Sequence, residues 1–337
     1  MIKRYKALAL QIECAAINSC KDKKTAHALM QKTLNTVLAQ TSGSKKFIGP
    51  DLKLVVLPEY FLTSFPFGET IEEWHTKACI TTDDILFTQM KEFCKKESIF
   101  LSGNFYELDE NFPDLYFQSS FIIDDEGELI LKYRRLNSMF APTPHDVLDK
   151  YLEIYGEESL FPVADTKLGK LACIASEEIL YPEIARCLMM RGAEIFLHSS
   201  SEAGSPNLTH KDIAKRARSI ENMAYTISAN SAGISGIDFP FASTDGLSKI
   251  VHFEGNVLSE AGTGDSMVAN SYIDINALRD YRSKISMQNY IARQRFELYA
   301  PSYTNMSHYP SNSFEGKKPN KELFIKTQLN VVNKLYN

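Results

Sequence analysis

The run Leu171-Ala172-Cys173-Ile174-Ala175 is apolar at every position. It is too short for a helix and suits a buried strand. Leu54-Val55-Val56-Leu57 has the same character, and a strand without polar alternation must be covered on both faces. The rest of the chain supplies the cover. Residues 23–40 carry Met30, Leu34, Val37 and Leu38 along one helical stripe. A second helix, capped by Thr82 or Asp83, carries Leu86, Met90 and Phe93, and a third spans 210–225. Further strands read at 7–11, 99–104, 194–199 and 225–230. Hairpins pair 120–123 with 129–131 around Asp124-Asp125-Glu126-Gly127, and 249–253 with 257–259 around Glu254-Gly255-Asn256. Helices alternating with strands, with hairpins inserted, predict an α/β chain with mixed sheets.

The buried run at 171–175 leads into a sharp turn and then a helix. Pro182 suits a first helical turn because its missing N–H costs nothing there, and Glu183 suits the positive end of the dipole. Ile184, Leu188 and Met189 form the inward face, and Gly192 closes the helix. Backbone N–H groups converge at a turn between a strand and a helix start, so a nucleophile placed there gains an electrostatic partner. The residue at that place is Ser176, which as a bare reading is equally a small capping residue.

Gly169-Lys170-Leu171 through Ser176-Glu177-Glu178 to Tyr181-Pro182-Glu183 resembles the nucleophile segment of the nitrilase (carbon–nitrogen hydrolase) superfamily. That family carries a cysteine where this chain has Ser176. Leu57-Pro58-Glu59-Tyr60-Phe61 is similar to its Pro-Glu segment, and Lys132-Tyr133-Arg134-Arg135-Leu136 to its Tyr-Arg-Lys segment, with Arg135 at the lysine position. The resemblance covers roughly residues 5–280 and implies an α/β fold, a four-layer αββα sandwich with two mixed β-sheets. It implies action on a C–N bond of a small amide-type substrate. Glu59 would be general base, Arg135 the oxyanion cation and Ser176 the nucleophile. His145, Asp146, Glu177, Glu178, His198 and Ser199 would line the substrate site. The alternative is a catalytically impaired pseudoenzyme that binds a small ligand or regulates a partner.

The two departures have chemical consequences. A thiol ionises near pH ~8.5 and is readily drawn lower, whereas an alcohol needs a base during attack. Arginine keeps the positive charge and offers a bidentate fork, but it cannot give up a proton.

Other classes are disfavoured. A net charge of −5 over 337 residues argues against nucleic acid or an anionic membrane as partner. No apolar stretch reaches the ~20 residues that span a bilayer, and the basic start runs straight into a strand without a signal-peptide core. Six scattered cysteines lack metal or disulfide spacing, so no metal or cofactor is expected and the cytoplasm is the expected location. No Gly-x-Ser-x-Gly elbow is present. Residues 1–285 are expected to form the hydrolase-like domain. Residues 286–337, polar, aromatic and rich in proline, are expected to form an irregular arm on the body or on a neighbouring subunit. The resemblance implies a homodimer or higher homo-oligomer.

Overall fold

The computed structural model describes residues 1–203, 205, 207–314 and 316–336. In chain order its strands are β1 (Tyr5–Ala9), β2 (Cys14–Ala15), β3 (Leu52–Val56), β4 (Phe100–Leu108), β5 (Tyr116–Ile123), β6 (Leu129–Arg134), β7 (Ala164–Thr166), β8 (Gly169–Ala175), β9 (Ile195–Ser199), β10 (Tyr225–Ala229), β11 (Ile234–Ser235), β12 (Lys249–Val251), β13 (Val257–Glu260) and β14 (Asn270–Ile273). The helices are α1 (Lys23–Ile48), α2 (Ile71–Ala78), α3 (Ile85–Glu97), α4 (Leu148–Tyr155), α5 (Pro182–Met190), α6 (His210–Asn222), α7 (Ile275–Ser283), α8 (Ala300–Asn305) and α9 (Lys321–Tyr336).

The strands form two six-stranded sheets, ordered β14-β1-β3-β4-β5-β6 and β13-β12-β10-β9-β8-β7, plus the small β11-β2 pair. In both sheets the central strands run parallel and the edges antiparallel, as β8–β9–β10 with β7 and β12 illustrates. The period-two alternation of each strand sends one set of side chains inward and the other outward. Ala7, Leu54, Val56 and Tyr133 of the first sheet meet Leu171, Cys173, Leu197 and Ile227 of the second in a shared core. The opposite face of the first sheet packs under Met30 and Leu34 of α1 and Leu86 and Met90 of α3. The opposite face of the second packs under Ile184 and Leu188 of α5 and Ala214 of α6. The architecture is therefore the expected α–β–β–α sandwich with two mixed sheets.

Three local expectations change. α1 continues past residue 40 to Ile48, with Thr41 and Ser44 buried, and stops at Gly49 (φ 108°). α3 is capped by Asp84, whose carboxylate accepts from Leu86 N at 2.9 Å, and neither Thr82 nor Asp83 plays that part. The stretch read as an irregular arm contains α9, a helix of 16 residues. Asn320 Oδ1 accepts from Leu323 N at its start, and no Gly or Pro interrupts the run that follows. Phe324 of α9 is 2 % exposed and packs with Phe314, Phe112, Phe117 and Tyr151. Among the described residues no helix is long and apolar enough to cross a membrane.

Candidate active site

The site lies where β3, β6, β8 and β9 end. Glu59 follows β3 and is 1 % exposed. Its backbone N–H donates to Ser200 O at 3.2 Å, which ties the end of β3 to the end of β9 across the two sheets. Its carboxylate Oε1 accepts from Gln118 Nε2 at 2.5 Å and lies 3.6 Å from Arg135 Nη1. Gln118 of β5 bridges the pair, because its Oε1 accepts from Arg135 Nη1 at 2.5 Å. This fixes the orientation of its amide, with the nitrogen toward the carboxylate and the oxygen toward the guanidinium.

Arg135 leaves β6 next to Arg134, yet the two arginines have separate tasks. Arg134 points into a closed cluster with Glu107 and Asp109. Arg135 faces the site, paired with Glu59 and Glu177, and donates from Nε to Asn137 O at 2.7 Å. Burial works against its charge, but Tyr60, Glu177, Glu59 and Glu178 more than offset that, so its pKa lies above the usual range.

Ser176 follows β8 and opens a tight turn over Ser176–Leu180. It is 5 % exposed and adopts φ 48°, the left-handed region that costs a non-glycine residue about 1–2 kcal/mol. Tyr60, beside Glu59, is in the same region at φ 58°. Two such backbone positions at one place are a mark of a functional site. His198 of β9 holds the Ser176 carbonyl through Nε2 at 2.8 Å and faces Ser228 Oγ through Nδ1 at 2.8 Å. A carbonyl can only accept, so Nε2 carries the proton and Nδ1 takes the serine hydroxyl. Burial, with Lys215 and Lys211 nearby, pushes the His198 pKa well below its ordinary value, so the ring is neutral.

The remaining expected site residues divide into two groups. His145 and Asp146 line a cavity of about 760 Å³ together with Glu177, Leu136, Phe161 and Tyr309. Burial, against a smaller opposing effect of Asp146, lowers the His145 pKa. Asp146 also ties the C-terminal stretch to the body, accepting from Ser313 Oγ at 2.6 Å and from Thr143 Oγ1 at 2.8 Å. Glu178, His198 and Ser199 do not line this cavity; they are buried braces. Ser199 Oγ donates to Leu57 O at 2.8 Å. Glu178 accepts from Tyr133 Oη at 2.6 Å and from the N–H groups of Leu136 and Asn137 at 2.8 and 2.9 Å. Burial raises its pKa, against the pull of Arg135 and these three donors. A glutamine at 178 would turn an N–H₂ toward a shell made of donors. Glu178→Gln is expected to cost about 1–3 kcal/mol in a denaturant titration. A variant as stable as the parent would remove the bracing role.

Two residues were missed from the sequence. Gln118 sits inside a strand and carries no motif. Lys211, on the first turn of α6, places Nζ 3.2 Å from Ser176 Oγ. A cation in a first turn opposes the helix dipole. That local conflict is the signal that could have singled Lys211 out.

A glutamate, an arginine and a serine from three distant segments thus meet at one end of the paired sheets. The sequence signature of the carbon-nitrogen hydrolase family matches residues 15–283. The formamidase of Bacillus cereus (strain B4264) is 29% identical over 233 residues, covering 68% of this chain and 62% of the formamidase. The match therefore spans less than two thirds of that relative's length. Nitrilase homolog 2 of Dictyostelium discoideum is 26% identical over 250 residues, covering 73% of this chain and 72% of the homolog. The crystal structure of Saccharomyces cerevisiae Nit3, a member of branch 10 of the nitrilase superfamily, superposes with a TM-score of 0.63 at 20% identity, covering 85% of this chain and 95% of that one. With the family signature running through most of the strands that carry these side chains, the chain belongs to the carbon–nitrogen hydrolase family.

Proposed function

We propose that the protein hydrolyses the C–N bond of a small amide, with Ser176 as nucleophile where the family resemblance expects cysteine and Arg135 where it expects lysine. The observation that carries this reading is the Glu59–Gln118–Arg135 bridge, a buried carboxylate and guanidinium held in register beside the Ser176 turn. Attack by Ser176 Oγ on the amide carbon builds negative charge on the carbonyl oxygen, and Arg135 supplies the cation for it. Glu59 supplies the carboxylate that drives removal of the hydroxyl proton and, later, activation of water. The formamidase relatives support an amide as substrate class. The cavity of about 760 Å³, walled by Leu136, Leu148, Phe161 and Ile184, has room for an apolar acyl chain much larger than formamide. The six cysteines are all free thiols, which suits a reducing compartment and supports a cytoplasmic protein. Exposed Tyr181 and Met190 on and beside α5 support self-association into a homo-oligomer.

The test is a series of primary amides from formamide to medium-chain acyl amides, with ammonia release as readout and mass spectrometry of the Ser176 peptide. Turnover with an acyl adduct on Ser176 is the expected result. Turnover that survives Ser176→Ala would remove the nucleophile. One observation favours a second reading, ligand binding without turnover: Glu59, Arg135 and Ser176 do not line the cavity, and the link to it is Glu177, which lines it and pairs with Arg135. A ligand that raises the melting temperature and is never consumed would support that reading.

A further inference from the structure

The hydrogen bond to Ser176 Oγ does not come from Glu59. Among the described residues it comes from Lys211, whose Nζ lies 3.2 Å away, while the Glu59 carboxylate is engaged by Gln118. Lys211 is half-buried and enters the site from the first turn of α6. The groups facing it are Glu59 after β3, Glu202 and His198 from β9 and its exit, Arg135 after β6, and Lys215 one turn along α6. Lys215 is fully buried and already paired with Glu202 and Asp212. Lys211, Lys215 and Arg135 therefore share this corner with two carboxylates, a neutral histidine and a hydroxyl.

We infer that Lys211 is the base that takes the proton from Ser176, and that Glu59 acts on the hydroxyl through Lys211. The inference rests on the amide-hydrolysis reading and changes one step of it. Four facts support it. Nζ lies 3.2 Å from Oγ, within the reach a base needs to take the hydroxyl proton once the amine is neutral. Arg135 holds positive charge nearby but cannot exchange a proton. The first turn of α6 disfavours a cation. Burial, reinforced by Lys215 and Arg135, lowers the Lys211 pKa against the opposing charges of Glu59 and Glu202, which favours the neutral amine.

The steps balance as follows. As Ser176 Oγ forms its bond to the amide carbon, the hydroxyl proton moves to neutral Lys211 Nζ, giving an ammonium beside Glu59. When the C–N bond breaks, that proton passes to the departing nitrogen, and an ester on Ser176 remains. Water then attacks the ester carbon and gives a proton to Lys211 Nζ. The C–O bond to Ser176 breaks, the proton returns to Oγ and the acid leaves.

The test uses a fluorophosphonate on the full chain, because this probe needs an activated serine and no knowledge of the substrate. Oγ forms a bond to phosphorus, fluoride leaves, and mass spectrometry of the Ser176 peptide gives the rate. Labelling of the unaltered protein should rise with pH through a midpoint below the ordinary lysine value of about 10.4. Lys211→Met and Lys211→Arg should both lose about 10²–10⁴-fold. The arginine variant keeps a basic side chain at the position but cannot exchange a proton, which separates charge from proton transfer. Added alkylamines should restore Lys211→Ala in order of their basicity, which a merely structural lysine would not show. Labelling of Lys211→Arg at the parental rate would overturn the assignment, as would no labelling of Ser176 anywhere from about pH 7 to about 10. Lys211-dependent labelling without turnover of any amide would instead sink the substrate reading and leave Lys211 as the base.

Discussion

Replacing Arg134 with leucine is expected to lower the stability of the fold by roughly 3–5 kcal/mol. Arg134 is 2 % exposed, and its Nε and Nη2 hold Glu107 at 2.9 and 2.6 Å while Nη2 also meets Asp109. Its guanidinium lies 4.7 Å from the Phe117 ring centre and 4.5 Å from that of Tyr155. Leucine restores part of the packing but strands two carboxylates. Lys132, 2.5 Å from Glu107, is half-exposed and covers only one of them. The midpoint of a urea titration should fall accordingly, and an unchanged midpoint would sink the claim.

The pH dependence supplies a sign that packing loss alone would not. Burial raises the pKa values of Glu107 and Asp109, but the bonds to Arg134, Lys132 and Tyr155 outweigh it and hold both below the usual carboxylate range. Their contribution is present above the unfolded pKa values of about 4 and is lost as pH falls through the folded ones. In Arg134→Leu burial acts with less opposition, so the folded values move up and protonation relieves the cluster. The gap between variant and parent should therefore narrow as the pH drops below about 5. A gap that stays constant down to that range would show that the loss is steric.

The second large effect belongs to Glu59. Glu59→Gln keeps the volume and an oxygen to accept from Gln118, so the melting temperature should barely move. The rate on any amide the parent hydrolyses should fall about 10²–10⁴-fold. The pH profile should move as well. Glu59 holds the Lys211 pKa up, so without that charge the neutral amine forms at lower pH. The acid limb should shift downward while the plateau drops. A parental rate with a parental profile would remove Glu59 from the reaction.

The central strands β3 and β8 were legible because their apolar runs leave no other solution than cover on both faces, whereas the short β2, β7, β11 and β14 carry no such run. Glu59 and Arg135 drew attention through the family-like segments that hold them, Leu57-Pro58-Glu59 and Tyr133-Arg134-Arg135. The limits are equally physical. α9 was read as irregular because only Phe324 of its residues is buried, so its helical stripe is faint. Glu178, His198 and Ser199 lie near the right place, but sequence does not show which way a side chain is spent, on a ligand or on neighbouring backbone. Gln118 and Lys211 act across pairings of distant segments, and no local spacing encodes that meeting. Lys211 alone left a trace, as a charge set against its own helix.

The cavity wall has a divided origin. Leu136, His145 and Glu177 belong to the sandwich, whereas Met306, His308, Tyr309 and Gln328 come from the C-terminal stretch, which Ser313 pins to Asp146. The cavity is therefore shaped jointly by the sandwich and by the C-terminal stretch. Drift in the tail can therefore remodel the cavity in descendants of such a chain while the sheets stay untouched.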